Sequence, residues 1–248
     1  MKRKASTQIT KPKPKLQRQN SFVVNIPKAL APQKSNTFSP ELKSYDTHGS
    51  FLIAHDGYAG PSHVSLINCP IKGSEMYNRI GRRIKCVQAD INITLYPGMP
   101  TPDTLAQNIT FICFVDSDPT TSTLPGYDLL YKDFVGPTGA PLVDIMSHRN
   151  LDLIKRFRVL RRKNIPLRTC GTATGVIPCN GNAFQASEND ITFSWSLPLN
   201  LETQFNSGNG GTITDMVNNA LYIGYWTDAQ APQQEASFKM STRVRYRD

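Results

Sequence analysis

Residues 87–96 alternate without a break. Val87, Ala89, Ile91, Ile93 and Leu95 fall on one side of the chain, and Gln88, Asp90, Asn92, Thr94 and Tyr96 on the other. Period two with apolar, mostly β-branched residues on one side describes a half-buried strand, and Pro97-Gly98 ends it. Upstream, the apolar phase shifts between Ile84/Cys86 and Val87/Ala89, which predicts a bulge near the start of this strand. The alternation returns at 191–201, where Ile191, Phe193, Trp195, Leu197, Leu199 and Leu201 share a face, and Pro198 predicts a sheet edge or bend. It returns again where Phe238, Met240, Thr242, Val244 and Tyr246 oppose Lys239, Ser241, Arg243, Arg245 and Arg247.

In all, strands are predicted near 42–46, 50–55, 63–68, 84–96, 108–116, 156–163, 190–201, 219–226 and 236–247. Only 127–135 and 212–219 suit a short helix or turn, the second with Thr212 or Thr214 as N-cap. Strand after strand without helical alternation predicts an all-β fold, a single eight-stranded antiparallel jelly roll or β-sandwich over residues 41–248. A chain of 248 residues is long enough for one such core. The connecting stretches 97–107, 117–150, 164–189 and 202–218 are rich in Pro, Gly, Thr and Asn, and loops this long are expected to be functional surface.

The net charge of +9 sits at one end. Residues 1–40 hold Lys2, Arg3, Lys4, Lys11, Lys13, Lys15, Arg18, Lys28 and Lys34 and no acid, so these nine of the 28 basic residues account for the whole excess over 19 acids. The rest of the chain is formally neutral. With its Pro, Gln, Ser and Asn content, the segment is expected to be a disordered arm that meets a polyanion. Lys11-Pro-Lys-Pro-Lys15 favours an extended, polyproline-like course. No aromatic residue is interleaved with these charges, so contact with nucleic acid is expected to be electrostatic and insensitive to sequence.

No enzyme motif is present: Gly-x-Ser-x-Gly, a phosphate-binding glycine loop and His-Glu-x-x-His are all missing. His48, His55, His63 and His148 lie on separate segments without metal-ligand spacing. Asp116-Ser117-Asp118 offers too few oxygens for calcium and reads as a turn that bonds its own backbone. No cofactor and no metal are expected. Five cysteines, Cys69, Cys86, Cys113, Cys170 and Cys179, contain no Cys-x-x-Cys. A reduced, buried set is expected, as in an intracellularly made protein without signal peptide or membrane span.

Three basic clusters are candidate phosphate contacts: Arg79/Arg82/Arg83/Lys85, Arg156/Arg158/Arg161/Arg162/Lys163, and Lys239/Arg243/Arg245/Arg247. The alternative for each is a solvated strand face balanced by acids. The run Gly73-Ser74 through Arg79-Ile80-Gly81-Arg82-Arg83-Ile84, leading into the alternating strand, resembles the capsid proteins of small circular single-stranded DNA viruses that encode their own replication initiator, of circovirus and cyclovirus type. Glu41-Leu42-Lys43-Ser44-Tyr45-Asp46, Ile112-Cys113-Phe114-Val115-Asp116, Arg149-Asn150-Leu151 and Arg156-Phe157-Arg158-Val159-Leu160 follow in matching order. The resemblance implies a jelly roll assembling as about 60 copies into a closed icosahedral shell. It implies an arm on packaged single-stranded DNA, an inner sheet bearing the C-terminal strand, and import into the host nucleus through Lys2-Arg3-Lys4 and Lys11 to Lys15. A small RNA or satellite virus coat protein, or a cellular β-sandwich that binds nucleic acid, shares most of these features.

Overall fold

The computed structural model describes residues 41–53, 63–96, 107–119, 124–132, 134–135, 141–143, 145–167, 190–228 and 236–248. The chain divides into two units, Met1–Ser39 and Pro40–Asp248, and every described residue belongs to the second. The predicted arm therefore lies outside the described residues, as do Cys170 and Cys179.

Among the described residues, eleven strands follow in order: β1 (Leu42–Ile53), β2 (Val64–Leu66), β3 (Arg83–Tyr96), β4 (Gln107–Asp116), β5 (Phe134–Val135), β6 (Pro141–Leu142), β7 (Phe157–Leu167), β8 (Ile191–Phe205), β9 (Met216–Asn218), β10 (Ala220–Thr227) and β11 (Ala236–Arg247). A four-residue helix, α1 (Tyr127–Leu130), precedes β5. One sheet runs β1-β11-β3-β8 with β9 added at its edge, and the other runs β2-β10-β4-β7. Setting aside the short β5, β6 and β9, the first sheet takes the first, eighth, third and sixth strands, and the second takes the second, seventh, fourth and fifth. Every pairing within the sheets is antiparallel. That order is an eight-stranded jelly roll.

The alternation of β3 buries Ala89, Ile91, Ile93 and Leu95 against the second sheet. The expected bulge is present: the registers of β3 with β11 and with β8 both shift around Val87. Between the sheets, aromatic rings lock together. Phe111 meets Phe193 and Phe238 edge-on at 5.4 and 5.2 Å, and Tyr225 meets Phe238 at 4.6 Å. Each such pair adds about 0.5–1.5 kcal/mol beyond the area it buries. Asn68 ties the sheets by polar means. Its amide donates to Thr203 Oγ1 and the Asn219 carbonyl, both at 3.0 Å, and its oxygen accepts from Leu221 N–H at 2.8 Å.

Three differences from the sequence reading have physical causes. The segments 42–46 and 50–55 are one strand, because Thr47-His48-Gly49 pairs with β11 throughout even though it breaks the apolar alternation. The strand at 190–201 continues to Phe205, with Thr203 and Phe205 buried. Finally, part of 117–150 is a third layer rather than free surface. Tyr127 stacks on Tyr131 at 4.4 Å and meets the Trp226 ring of β10 at 5.1 Å, so β10 is buried on both faces. Among the described residues, no helix is long and apolar enough to cross a membrane.

Candidate nucleic-acid interface

The outward face of the first sheet gathers most of the candidate residues that are described. On β11, Lys239, Arg243, Arg245 and Arg247 project away from the core, as their alternation demands. The bulge at Val87 then has a consequence for charge. It switches the parity of β3, so Arg83 and Lys85 share this face with Gln88, Asp90 and Asn92. Arg247 consequently sits across from Lys85, and Lys85 across from Glu202. Arg83 reaches Glu202 only at 3.8 Å, with both side chains about two-thirds exposed, and Arg82 is exposed in the preceding turn. This corner is net positive.

The middle of the row is not. The Arg243 guanidinium forks onto Asp46 of β1, Nε to Oδ1 at 2.9 Å and Nη2 to Oδ2 at 2.6 Å. Arg245 donates to Gln88 Oε1 at 2.8 Å and lies 3.4 Å from Asp90 Oδ2. Asp90 in turn accepts from Ser196 Oγ at 2.7 Å and Gln88 Nε2 at 2.8 Å. A polar lattice thus crosses all four strands. Of the two readings offered for this cluster, its middle takes the second, a strand face balanced by acids: cross-strand pairing supplies Asp46 and Asp90, which sequence spacing along β11 alone does not reveal.

The hydrogen bonds from Arg243 hold the Asp46 carboxyl below its ordinary range. The Ser196 hydroxyl, followed by the Gln88 amide and the charges of Arg245 and Arg243, does the same for Asp90. A carboxyl with a lowered folded-state value contributes stability above its unfolded value and loses it as pH falls through the folded one. Asp46→Asn should therefore lower Tm slightly near neutral pH, on the order of 1–2 °C for an exposed pair in a domain of this size. The gap to the parent should close on acidification below the ordinary carboxylate range. Paired thermal melts across a pH series check this.

Arg79 is a second correction. It was a candidate phosphate contact, yet its side chain is fully buried. Nη1 donates to the Gly81 carbonyl at 2.8 Å and Nη2 to the Gly208 carbonyl at 2.7 Å, and the guanidinium lies 4.1 Å from the Phe205 ring centre. It clamps the 67–82 loop onto the 206–219 loop and offers nothing to a ligand. Arg79→Met should cost about 3–5 kcal/mol in denaturant unfolding, because two bonds from a charged donor are lost and two carbonyls are left unsatisfied. Nucleic-acid affinity of the folded fraction should be unchanged. Arg79→Lys should rescue little, since an ammonium cannot span both carbonyls.

The 156–163 cluster is largely structural as well. Arg156 forks onto buried Asp116 through two 2.9 Å bonds. Arg162 donates to the Ile145 carbonyl at 2.9 Å and covers the Tyr131 ring, and Lys163 sits over Phe193. Only Arg158 and Arg161 are exposed. Asp116 also accepts from Asp118 N–H at 3.0 Å, the turn-forming bond expected for this pair. Cys69, Cys86 and Cys113 are free and buried, and burial pushes each thiol up to about 12. Lys2, Arg3, Lys4, Lys11, Lys13, Lys15 and Arg18 lie outside the described residues.

No family model and no curated protein matches this chain. Among solved structures, a chain of the "KBV activated particle at acidic pH" aligns with a TM-score of 0.38 and 10% identity, covering 98% of this chain and 90% of that one. The strand order and the side-chain geometry described above stand independently of that distant likeness.

Proposed function

We infer that this protein is a shell-forming coat protein, a jelly-roll subunit that closes around nucleic acid. More particularly, we infer the capsid protein of a small circular single-stranded DNA virus, without enzymatic activity. The observation that carries this reading is the separation of labour in one chain. A formally neutral two-sheet body is joined to an acid-free segment holding the entire positive excess. A body of this kind stacks without long-range self-repulsion, while the segment neutralises phosphates.

Exposed apolar side chains add support. Ile71, Met76, Tyr77, Ile80, Met146 and Leu151 are each more than half exposed. The first four belong to the 67–82 loop, where Ile71, Met76 and Tyr77 line one hollow together with Tyr45, and the last two to the connection between β4 and β7. Clustered exposed apolar surface on a soluble domain marks interaction sites. In this reading about 60 copies form the smallest icosahedral shell, and Lys2-Arg3-Lys4 with Lys11 to Lys15 direct nuclear import.

Electron microscopy of the purified full-length protein, with nuclease typing of co-purifying nucleic acid, tests the proposal. Uniform particles holding material sensitive to deoxyribonuclease are expected. Particles holding ribonuclease-sensitive material would transfer the chain to the RNA virus coats. A monomer that binds nucleic acid would make it a cellular binding module instead.

A further inference from the structure

On β11 the outward row has cations at 239, 243, 245 and 247 but a serine at 241. A shallow depression of about 330 Å³ opens at that gap. Three strands frame it. His48 and Ser50 of β1 lie across from Ser241 and Lys239, and Asn92 and Thr94 of β3 lie across from the same two residues on the other side. The hollow exists because Ser50 and Ser241 are short where the neighbouring positions of the row carry long side chains.

We propose that this depression is a nucleotide subsite, seating one base of a packaged single strand while its phosphate meets Lys239. The proposal rests on the packaging function inferred above and names where on the body the strand is held. Four observations converge on it. Lys239 is exposed, and among the described residues no carboxylate lies within ion-pair reach of it, whereas Arg243 and Arg245 are already held by Asp46 and Asp90. Its ammonium lies 5.6 Å from the Tyr96 ring centre, which fixes it at the rim of the hollow.

Asn92 is exposed on the floor and offers both a donor and an acceptor, the pair needed for a base edge. Thr94 Oγ1 is already engaged with Thr192 Oγ1 at 3.1 Å, so Asn92 is the group placed to read. Last, side chains on one face of a strand recur about every 6.8 Å, so the serine at 241 opens a gap of about 14 Å between the Lys239 and Arg243 stations of the row, room for one base. A sulfated polysaccharide shares the charge but has no base edge for the amide to pair with.

The test assembles full-length chain with an oligodeoxynucleotide carrying 5-iododeoxyuridine, irradiates it, and maps crosslinked peptides by mass spectrometry. The expected result is crosslinking within 48–50, 92–96 or 239–241, in addition to any on residues 1–40. Ser241→Tyr fills the hollow from its solvent side and should remove the body crosslinks at least tenfold while leaving those on the tail. Lys239→Gln should weaken them and lower the salt slope of binding by about 0.7, one single-strand phosphate contact. Should Ser241→Tyr fail to fold, Asn92→Leu probes the same floor. Crosslinks confined to residues 1–40 overturn the subsite alone. Body crosslinks that survive both fillings, or a sulfated polysaccharide that blocks them where unlabelled oligonucleotide does not, also overturn it. An oligonucleotide that the full chain does not retain at all overturns the packaging function as well.

Discussion

A chain lacking residues 1–34 should stay folded and lose nearly all of its affinity for single-stranded DNA. The deleted segment holds all nine of the tail's cations and no acid. Each phosphate contact on a single strand contributes about 0.7 to the slope of log affinity against log salt, so the slope should fall by about six if all nine engage. The remaining body is formally neutral, and its outward lattice spends Arg243 and Arg245 on Asp46 and Asp90. Among the described residues of that face, Lys239, Arg247, Lys85, Arg82 and Arg83 are left to bind, which predicts weak residual affinity with a slope near that of a few contacts. Folding should survive because the tail has little apolar surface to bury. Filter binding over a salt series measures both quantities, and a fluorescent fusion checks the parallel loss of nuclear accumulation. If the truncated chain keeps the parent's slope, the outward face of the first sheet is the polyanion contact and the tail is not.

How much of this was legible in the sequence depends on whether a residue's role is set locally. The β3 face, its bulge and the β11 face are local matters of period two, and the structure has them where the alternation put them. The burial of Arg79 is not local. Its partners Gly208 and Phe205 lie far along the chain, and next to Arg82 and Arg83 it reads as one more surface cation. Its neighbours hide the one arginine of the run that is a clamp. The acids that neutralise Arg243 and Arg245 were invisible for the same reason, since Asp46 and Asp90 become neighbours only once β1 and β3 flank β11.

The 221–226 run carries a further local signal. Leu221-Tyr-Ile-Gly-Tyr-Trp226 does not alternate, and an unbroken apolar run means a strand buried on both faces. That run demanded a third layer, and the aromatic pair Tyr127 and Tyr131 in the 117–150 stretch was the available cover. The continuity of β1 had no comparable cue, because Thr47-His48-Gly49 is small or polar on both sides. There, cross-strand pairing with β11 decides.

Ile91→Asp should prevent folding altogether. Ile91 is fully buried at the centre of β3, with Thr242 of β11 on one side and Trp195 of β8 on the other. A carboxylate there has no described cation beside it, and burying it unpaired or forcing its protonation costs several kcal/mol on top of the lost packing. Domains of this kind are stable by only about 5–15 kcal/mol, so that penalty is comparable to the whole. Asn92→Asp, one residue along, makes the same kind of chemical change on the opposite face, between Ser241 and Ser194. It should give a soluble, cooperatively melting protein. Circular dichroism and gel filtration of the two variants form the comparison; equal folding would mean that the strand's register is wrong, and the opposite outcome that its faces are exchanged. The tolerated variant also carries functional weight. Its new carboxylate stands on the floor of the Ser241 depression beside Lys239, where it repels phosphate. Asn92→Asp should therefore fold like the parent yet lose the body crosslinks, which separates the two faces of one strand into a folding face and a binding face.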